Sequence, residues 1–171
     1  MGRFMAIAFL IVAFCCGCNS KSPETGNLQP FELSDLGSLP VGLEVVHSPD
    51  SVLAQKGGGS GYDYTWTFQT TVRSTGAPVT IQEFGALDEE NDQWVLRNFT
   101  KEFFTQNDFA EWYSCPGGVV TEGKDFSDPS NWGGANCLRP GKTKWFFVGI
   151  DDNGNRVKGE AVVEQIAELI E

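Results

Sequence analysis

The stretch Tyr62–Arg73, YDYTWTFQTTVR, constrains the fold more than any other part of the chain. Tyr62, Tyr64, Trp66, Phe68 and Val72 fall on one side of an extended backbone, and Asp63, Thr65, Thr67, Gln69, Thr71 and Arg73 on the other. A period of two in β-branched and aromatic residues predicts a strand with one face buried. Ser74-Thr75-Gly76-Ala77-Pro78 breaks it, and Val79 and Ile81 open the next strand. Phe84 and Ala86 continue that strand in the opposite phase, so the pattern predicts a bulge near Gln82 and Glu83.

Strands are predicted near 41–47, 62–73, 78–87, 93–99, 117–121, 143–151 and 156–166. Asn153-Gly154 marks the turn of a closing hairpin, of the two-residue type I′ kind. Its first arm is apolar on both faces, with Trp145 and Phe147 against Phe146, Val148 and Ile150. Such a strand needs a cover on its outer side. The candidate is a short helix capped by Thr105, with Asp108 three residues on and Phe109, Trp112 and Tyr113 on one face. Pro116-Gly117-Gly118 stops it. The fold class read from this inventory is mainly β: an antiparallel sandwich of about seven strands with one short helix. It resembles the immunoglobulin and fibronectin type III class in architecture only, and that likeness carries no functional motif.

The N-terminus carries an address. Arg3 precedes an uninterrupted apolar run from Phe4 to Phe14, which ends in Cys15-Cys16-Gly17-Cys18 and turns polar at Asn19. The run is too short to span a bilayer and fits the apolar region of an export signal. The junction resembles the lipobox of bacterial lipoprotein precursors: Gly17-Cys18 fits its last two positions and Cys16 the small position before them. Cys15 stands where that family usually has Leu, which leaves Cys15 and Cys16 as alternatives to Cys18 for the modified residue. The resemblance implies a signal peptide over 1–17 and acylation of Cys18. It also implies a flexible tether over 18–40 and a membrane-anchored lipoprotein facing the periplasm or exterior of a bacterial cell envelope. The β domain then occupies 41–171.

With 23 acidic and 12 basic residues the chain carries a formal charge of −11. Charge of that sign repels phosphates and excludes nucleic acid binding by electrostatic attraction. Beyond the lipobox only Cys115 and Cys137 remain, which read equally as a disulfide of an exported protein or as two reduced thiols. One histidine, with neither Cys115 nor Cys137 in a CxxC pair, leaves no common zinc or copper site, and no cofactor is predicted. His47 lies beside Ser48 and Asp50, but neighbours on a strand point to opposite faces, so no triad is predicted and His47 reads as a surface or strand-end residue. Asp151-Asp152-Asn153-Gly154-Asn155 offers oxygen ligands for calcium, yet a hairpin turn accounts for the same residues. Asn98-Phe99-Thr100 matches a glycosylation sequon that a bacterial leader makes accidental.

Trp132 lies in SDPSNWGGAN, a composition that predicts an irregular loop, with the indole tucked against the core edge or displayed to a partner such as a sugar ring. Tucking is the preferred reading because Trp is highly buried on average. The functional expectation is a non-catalytic structural or interaction module whose partner is an envelope protein or polysaccharide. The alternatives are a carbohydrate-binding module using Trp132 and neighbouring loop residues, and a carboxylate-dependent hydrolase.

Overall fold

A computed structural model of the chain describes residues 31–57 and 61–170. The export signal, Cys15, Cys16, Cys18 and most of the expected tether lie outside the described residues. Within the compact unit Leu33–Glu171 the chain is mainly β with one short helix. No helix among the described residues is long and apolar enough to cross a membrane.

Strand β3 (Tyr64–Ser74) is the alternating segment. Trp66, Phe68, Thr70 and Val72 are buried on it, with Trp66 at 1% exposure. One edge of β3 pairs antiparallel with β1 (Leu43–Ser48) and then with the end of β2 (Ser51–Lys56). Its other edge pairs with β8 (Phe126–Ala135). β2 then leaves β3 and runs parallel to β10 (Arg156–Leu169), with Val52 opposite Gln165. From β10 the ladder continues antiparallel through β9 (Gly141–Asp151), β4 (Val79–Glu90) and β5 (Gln93–Leu96). Two short strands, β6 (Phe104–Thr105) and β7 (Val119–Val120), add to β4. All ten strands thus belong to one mixed sheet, and the expectation of antiparallel pairing throughout is corrected at β2–β10. The sheet folds back on itself. Gly159 of β10 lies under β1, where a side chain would bring its Cβ within 2.6 Å of the Leu43 Cβ.

The phase change in β4 is a bulge. Ile81 pairs with Gly149 and Glu83 with Val148, so Gln82 is the extra residue that turns Phe84 inward. The β9–β10 connection differs from the expected type I′ turn. In the Asn153-Gly154 pair only Gly154 has a positive φ, of 82°, and its N–H donates to the Asp151 carbonyl at 2.9 Å. Asp151 Oδ1 accepts from the backbone N–H groups of Asn153 and Asn155 at 2.9 and 2.8 Å. Hydrogen bonds from Asn155 hold this carboxyl below its ordinary range. Its oxygens close a turn, as the hairpin reading requires.

Helix α1 (Gln106–Trp112) has the full capping box: the Thr105 hydroxyl accepts from the Asp108 N–H, and the Asp108 carboxylate accepts from the Thr105 N–H. Phe109 and Tyr113 are buried against Phe84 and Phe147 in the same core cluster as Trp66 and Val72. The helix therefore covers Phe147, while Trp145 is stacked by Phe104 of β6, and both lie on the inner face of β9. The outer face, with Phe146 and Val148 fully buried, is reached by Phe103 from the β5–β6 connection, edge-on to Phe146 at 5.6 Å. Strand alternation distinguishes two faces without saying which is inside.

Candidate functional site

A cleft of about 620 Å³ opens between β8 and the helix side of the sheet. Its buried side is formed by Ala86 of β4 and by Thr143 and Trp145 of β9, the latter two 3% and 5% exposed. Asp88 lies opposite Thr143 in the ladder, and its Oδ1 accepts from the Thr143 hydroxyl at 2.7 Å. The Thr143 oxygen in turn accepts from Gln165 Nε2 at 3.1 Å. The Trp145 indole N–H has no acceptor among the described residues.

One wall of the cleft comes from β8, where sequence reasoning expected a loop. The segment is a strand because β3 offers a full edge of backbone donors and acceptors, and that pairing overrides the weak intrinsic preference of Gly, Ser, Asn and Pro. The strand accommodates its proline at a bulge. Phe68 pairs with Asn131 and Thr70 with Asp128, which leaves Pro129 and Ser130 opposite Gln69 alone. Asp128 Oδ1 accepts from the Ser130 N–H at 2.9 Å and shapes this bend.

Trp132, preferred as tucked, is displayed instead: 38% of it is exposed at the cleft. Register explains the outcome. Trp132 pairs with Thr67, the exposed member of β3, so its side chain leaves the sheet on the solvent side. Tyr62, expected on the core face of β3, precedes the strand and lies 6.0 Å from Trp132, ring centre to ring centre. Both rings sit over Gly134, where a Cβ would come within 2.5 Å of Tyr62 and 3.0 Å of Trp132. A glycine there lets the aromatic pair lie flat against the backbone.

The other wall carries a second aromatic group. Trp112 packs on Phe104 at 4.7 Å and on Phe84 at 5.5 Å, and lies 6.5 Å from Phe99, which is 66% exposed. Arg97 and Asn98 enter from the end of β5. Asn98 is buried: its amide donates to the Glu102 carbonyl at 2.7 Å and its oxygen accepts from the Ala86 N–H at 2.8 Å. The sequon asparagine is thus a brace between β4 and the β5–β6 connection.

Behind the β8 wall runs a chain of buried polar groups. Asn131 Nδ2 donates to the Tyr113 hydroxyl at 2.9 Å. Thr70 Oγ1 is 3.0 Å from His47 Nδ1, and His47 Nε2 is 3.2 Å from the Ala161 carbonyl. A carbonyl only accepts, so Nε2 carries the proton and Nδ1 accepts from the threonine. Around His47 the donors then run in one direction, from Thr70 of β3 to Ala161 of β10. His47 stands next to the end of β1, as read, but is 6% exposed, which corrects its reading as a surface residue. Burial lowers its pKa, partly offset by the bond to Ala161. Burial likewise raises that of Tyr113. The imidazole is a structural bridge, and Ser48 points away from it on the exposed side of β1.

Of the two readings left open for Cys115 and Cys137, the structure has two free thiols. Cys115 is sealed in the core, which pushes its thiol up to about 11, and Cys137 is exposed between β8 and β9. Among the described residues no group of His, Cys, Asp and Glu is arranged to hold a metal ion. Of the residues singled out from sequence, Tyr62, Asn98, Phe99, Trp112, Trp132 and Trp145 line the cleft, and Asp88 of β4, Asp128 of β8 and Glu111 of the helix join them.

No family model matches the chain, and no curated protein does. Among solved structures it is similar to the ApaA protein from Bordetella pertussis, at 12% identity over 73% of this chain and 94% of that one, with a TM-score of 0.42.

Proposed function

We propose that this protein is a lipid-anchored, non-catalytic binding module of a bacterial cell envelope, and that its cleft takes a saccharide. The observation that carries the reading is the display of Trp132 beside Tyr62 at the mouth of an open cleft whose other wall presents Phe99 and Trp112. Sugar rings offer apolar C–H faces to aromatic planes and hydroxyls to polar neighbours, and the cleft supplies both kinds of partner. Envelope polysaccharide is thereby favoured over an envelope protein as the partner. The anchor rests on the lipobox resemblance at Cys18. For the framework we propose an immunoglobulin-like arrangement in which β1, β3 and β8 form one layer and β2, β10, β9, β4 and β5 the other. The passage of the chain from β3 to β10 between β1 and β2 supports it.

Titration against a polysaccharide array tests the binding reading. Saturable binding lost in Trp132→Ala, with an unchanged far-ultraviolet dichroism spectrum, supports it; binding that survives the substitution overturns it. Turnover of a bound polysaccharide abolished by Asp128→Asn would replace it with the hydrolase reading. Mass spectrometry of the mature N-terminus tests the anchor, with an acylated Cys18 as the expected terminus and a free, unmodified one as the contrary result.

A further inference from the structure

We infer that the cleft takes a short stretch of a single glycan chain that turns from one sugar to the next, and not the flat face of a ribbon-like or crystalline polysaccharide. The inference rests on the saccharide reading above and adds the shape of the chain to it. Trp132 and Tyr62 line the cleft, each more than a third exposed. Their ring centres are 6.0 Å apart, a separation close to the length of one sugar unit, and their planes are inclined at 53°. No single plane lies against both rings. A sugar stacks through its apolar C–H face, so rings at that angle engage two successive sugars only where the chain itself turns between them.

The angle is built into the strand. Both rings rest on Gly134, where a Cβ would come within 2.5 Å of Tyr62 and 3.0 Å of Trp132. Gly133 faces the other side of β8, and a Cβ there would collide with Gln165 Nε2, which donates to Thr143 Oγ1 at 3.1 Å. Flattening the aromatic pair against a planar ribbon therefore means moving a strand that β3 holds by its edge and Gln165 from beneath. The rest of the cleft points to the same occupant. Its volume of about 620 Å³ is that of a small-molecule site, with room for a few sugar rings and not for a polymer surface. Phe99 and Trp112 form the second wall, their planes 33° apart. A broad crystalline face cannot pass between two walls, whereas a single chain can.

Isothermal titration of the full-length protein with glucose oligomers of equal length tests this, because linkage alone changes the shape of the chain. Oligomers linked α-1,4 or β-1,3 turn at every sugar, whereas β-1,4 oligomers run nearly straight and flat. The expected result is affinity for a turning series about tenfold above that for the flat one, the worth of one stacking contact, with no retention on crystalline cellulose. Tyr62→Ala leaves a single plane and narrows the preference to about twofold, the flat series binding as before. A merely structural role for Tyr62 would weaken both series alike. Gly134→Ala, which forces the two rings apart, provides the same comparison if the Tyr62 variant does not fold. Binding of the β-1,4 oligomers as tight as that of the turning ones, or saturable adsorption to crystalline cellulose, overturns the inference while leaving the saccharide reading standing. Binding of no glucan of any linkage overturns it too, and an empty polysaccharide array overturns the saccharide reading as well.

Discussion

Tyr113→Phe separates the polar chain behind the cleft from the packing around it. Tyr113 is 1% exposed and stacks on Phe109 at 4.4 Å, so phenylalanine keeps the ring and its contacts and removes one oxygen. That oxygen accepts from Asn131 Nδ2 at 2.9 Å. A buried hydrogen bond contributes about 1 kcal/mol, net of what water supplies in the unfolded chain. The Asn131 amide is then an orphaned donor, a loss of about 1–3 kcal/mol where no water reaches it. Asn131 lines the cleft, so solvent relieves part of that cost. The expected total is about 1–2 kcal/mol. Urea denaturation measures it, with the midpoint lowered and the slope unchanged. Tyr113→Phe with Asn131→Leu removes donor and acceptor together and loses about 1 kcal/mol less than the two single variants summed. A loss under about 0.5 kcal/mol for Tyr113→Phe would show that the chain contributes nothing to stability and that packing alone fixes the helix against β8.

Trp112→Ala removes a half-buried ring that touches Phe104 and Phe84, and is expected to cost about 2–4 kcal/mol, toward the lower end of the range for a large aromatic; chemical denaturation checks it. His47 has a folded-state pKa below its ordinary 6.5, so the unfolded chain binds the extra proton first. Its contribution is complete above about pH 6.5 and is lost as pH falls from there toward the lowered folded value. Glu83, raised by burial against the lowering effect of Arg156, has the opposite sign. The difference in stability between wild type and His47→Gln across pH 5 to 7 isolates the histidine and should grow with pH. Alkylation of the native protein under non-reducing conditions should label Cys137 promptly and Cys115 only after denaturant is added, as mass spectrometry of the peptides will show.

Several elements were legible from local pattern alone. The alternation around Trp66 and the phase change that becomes the bulge at Gln82 are periodicities written along a single segment, and the Thr105 capping box is made by residues three apart. Such signals are encoded where they occur. Strand β8 was not legible, because nothing in FSDPSNWGGA favours an extended backbone until β3 provides the edge to pair with. β2, six residues placed between a cis Ser48–Pro49 bond and the Gly57 turn, was equally hidden, since its partner on β10 is over a hundred residues away.

The same division runs through the cleft. By itself the sequence determined a β-rich chain with one capped helix, an acidic balance unsuited to nucleic acid, and an aromatic at position 132. Whether that aromatic was buried or displayed was decided by the register of β8 on β3, which sets Trp132 opposite the exposed Thr67. His47 became a core bridge because β1 folds over β10 and leaves Ala161 as its acceptor. Asp88, Asp128 and Trp145 come from three separate strands, and no spacing in the chain announces that they meet. Side-chain direction along a strand is a local property with a period of two, whereas the identity of the inner face depends on which other strands arrive, and only the folded sheet supplies that.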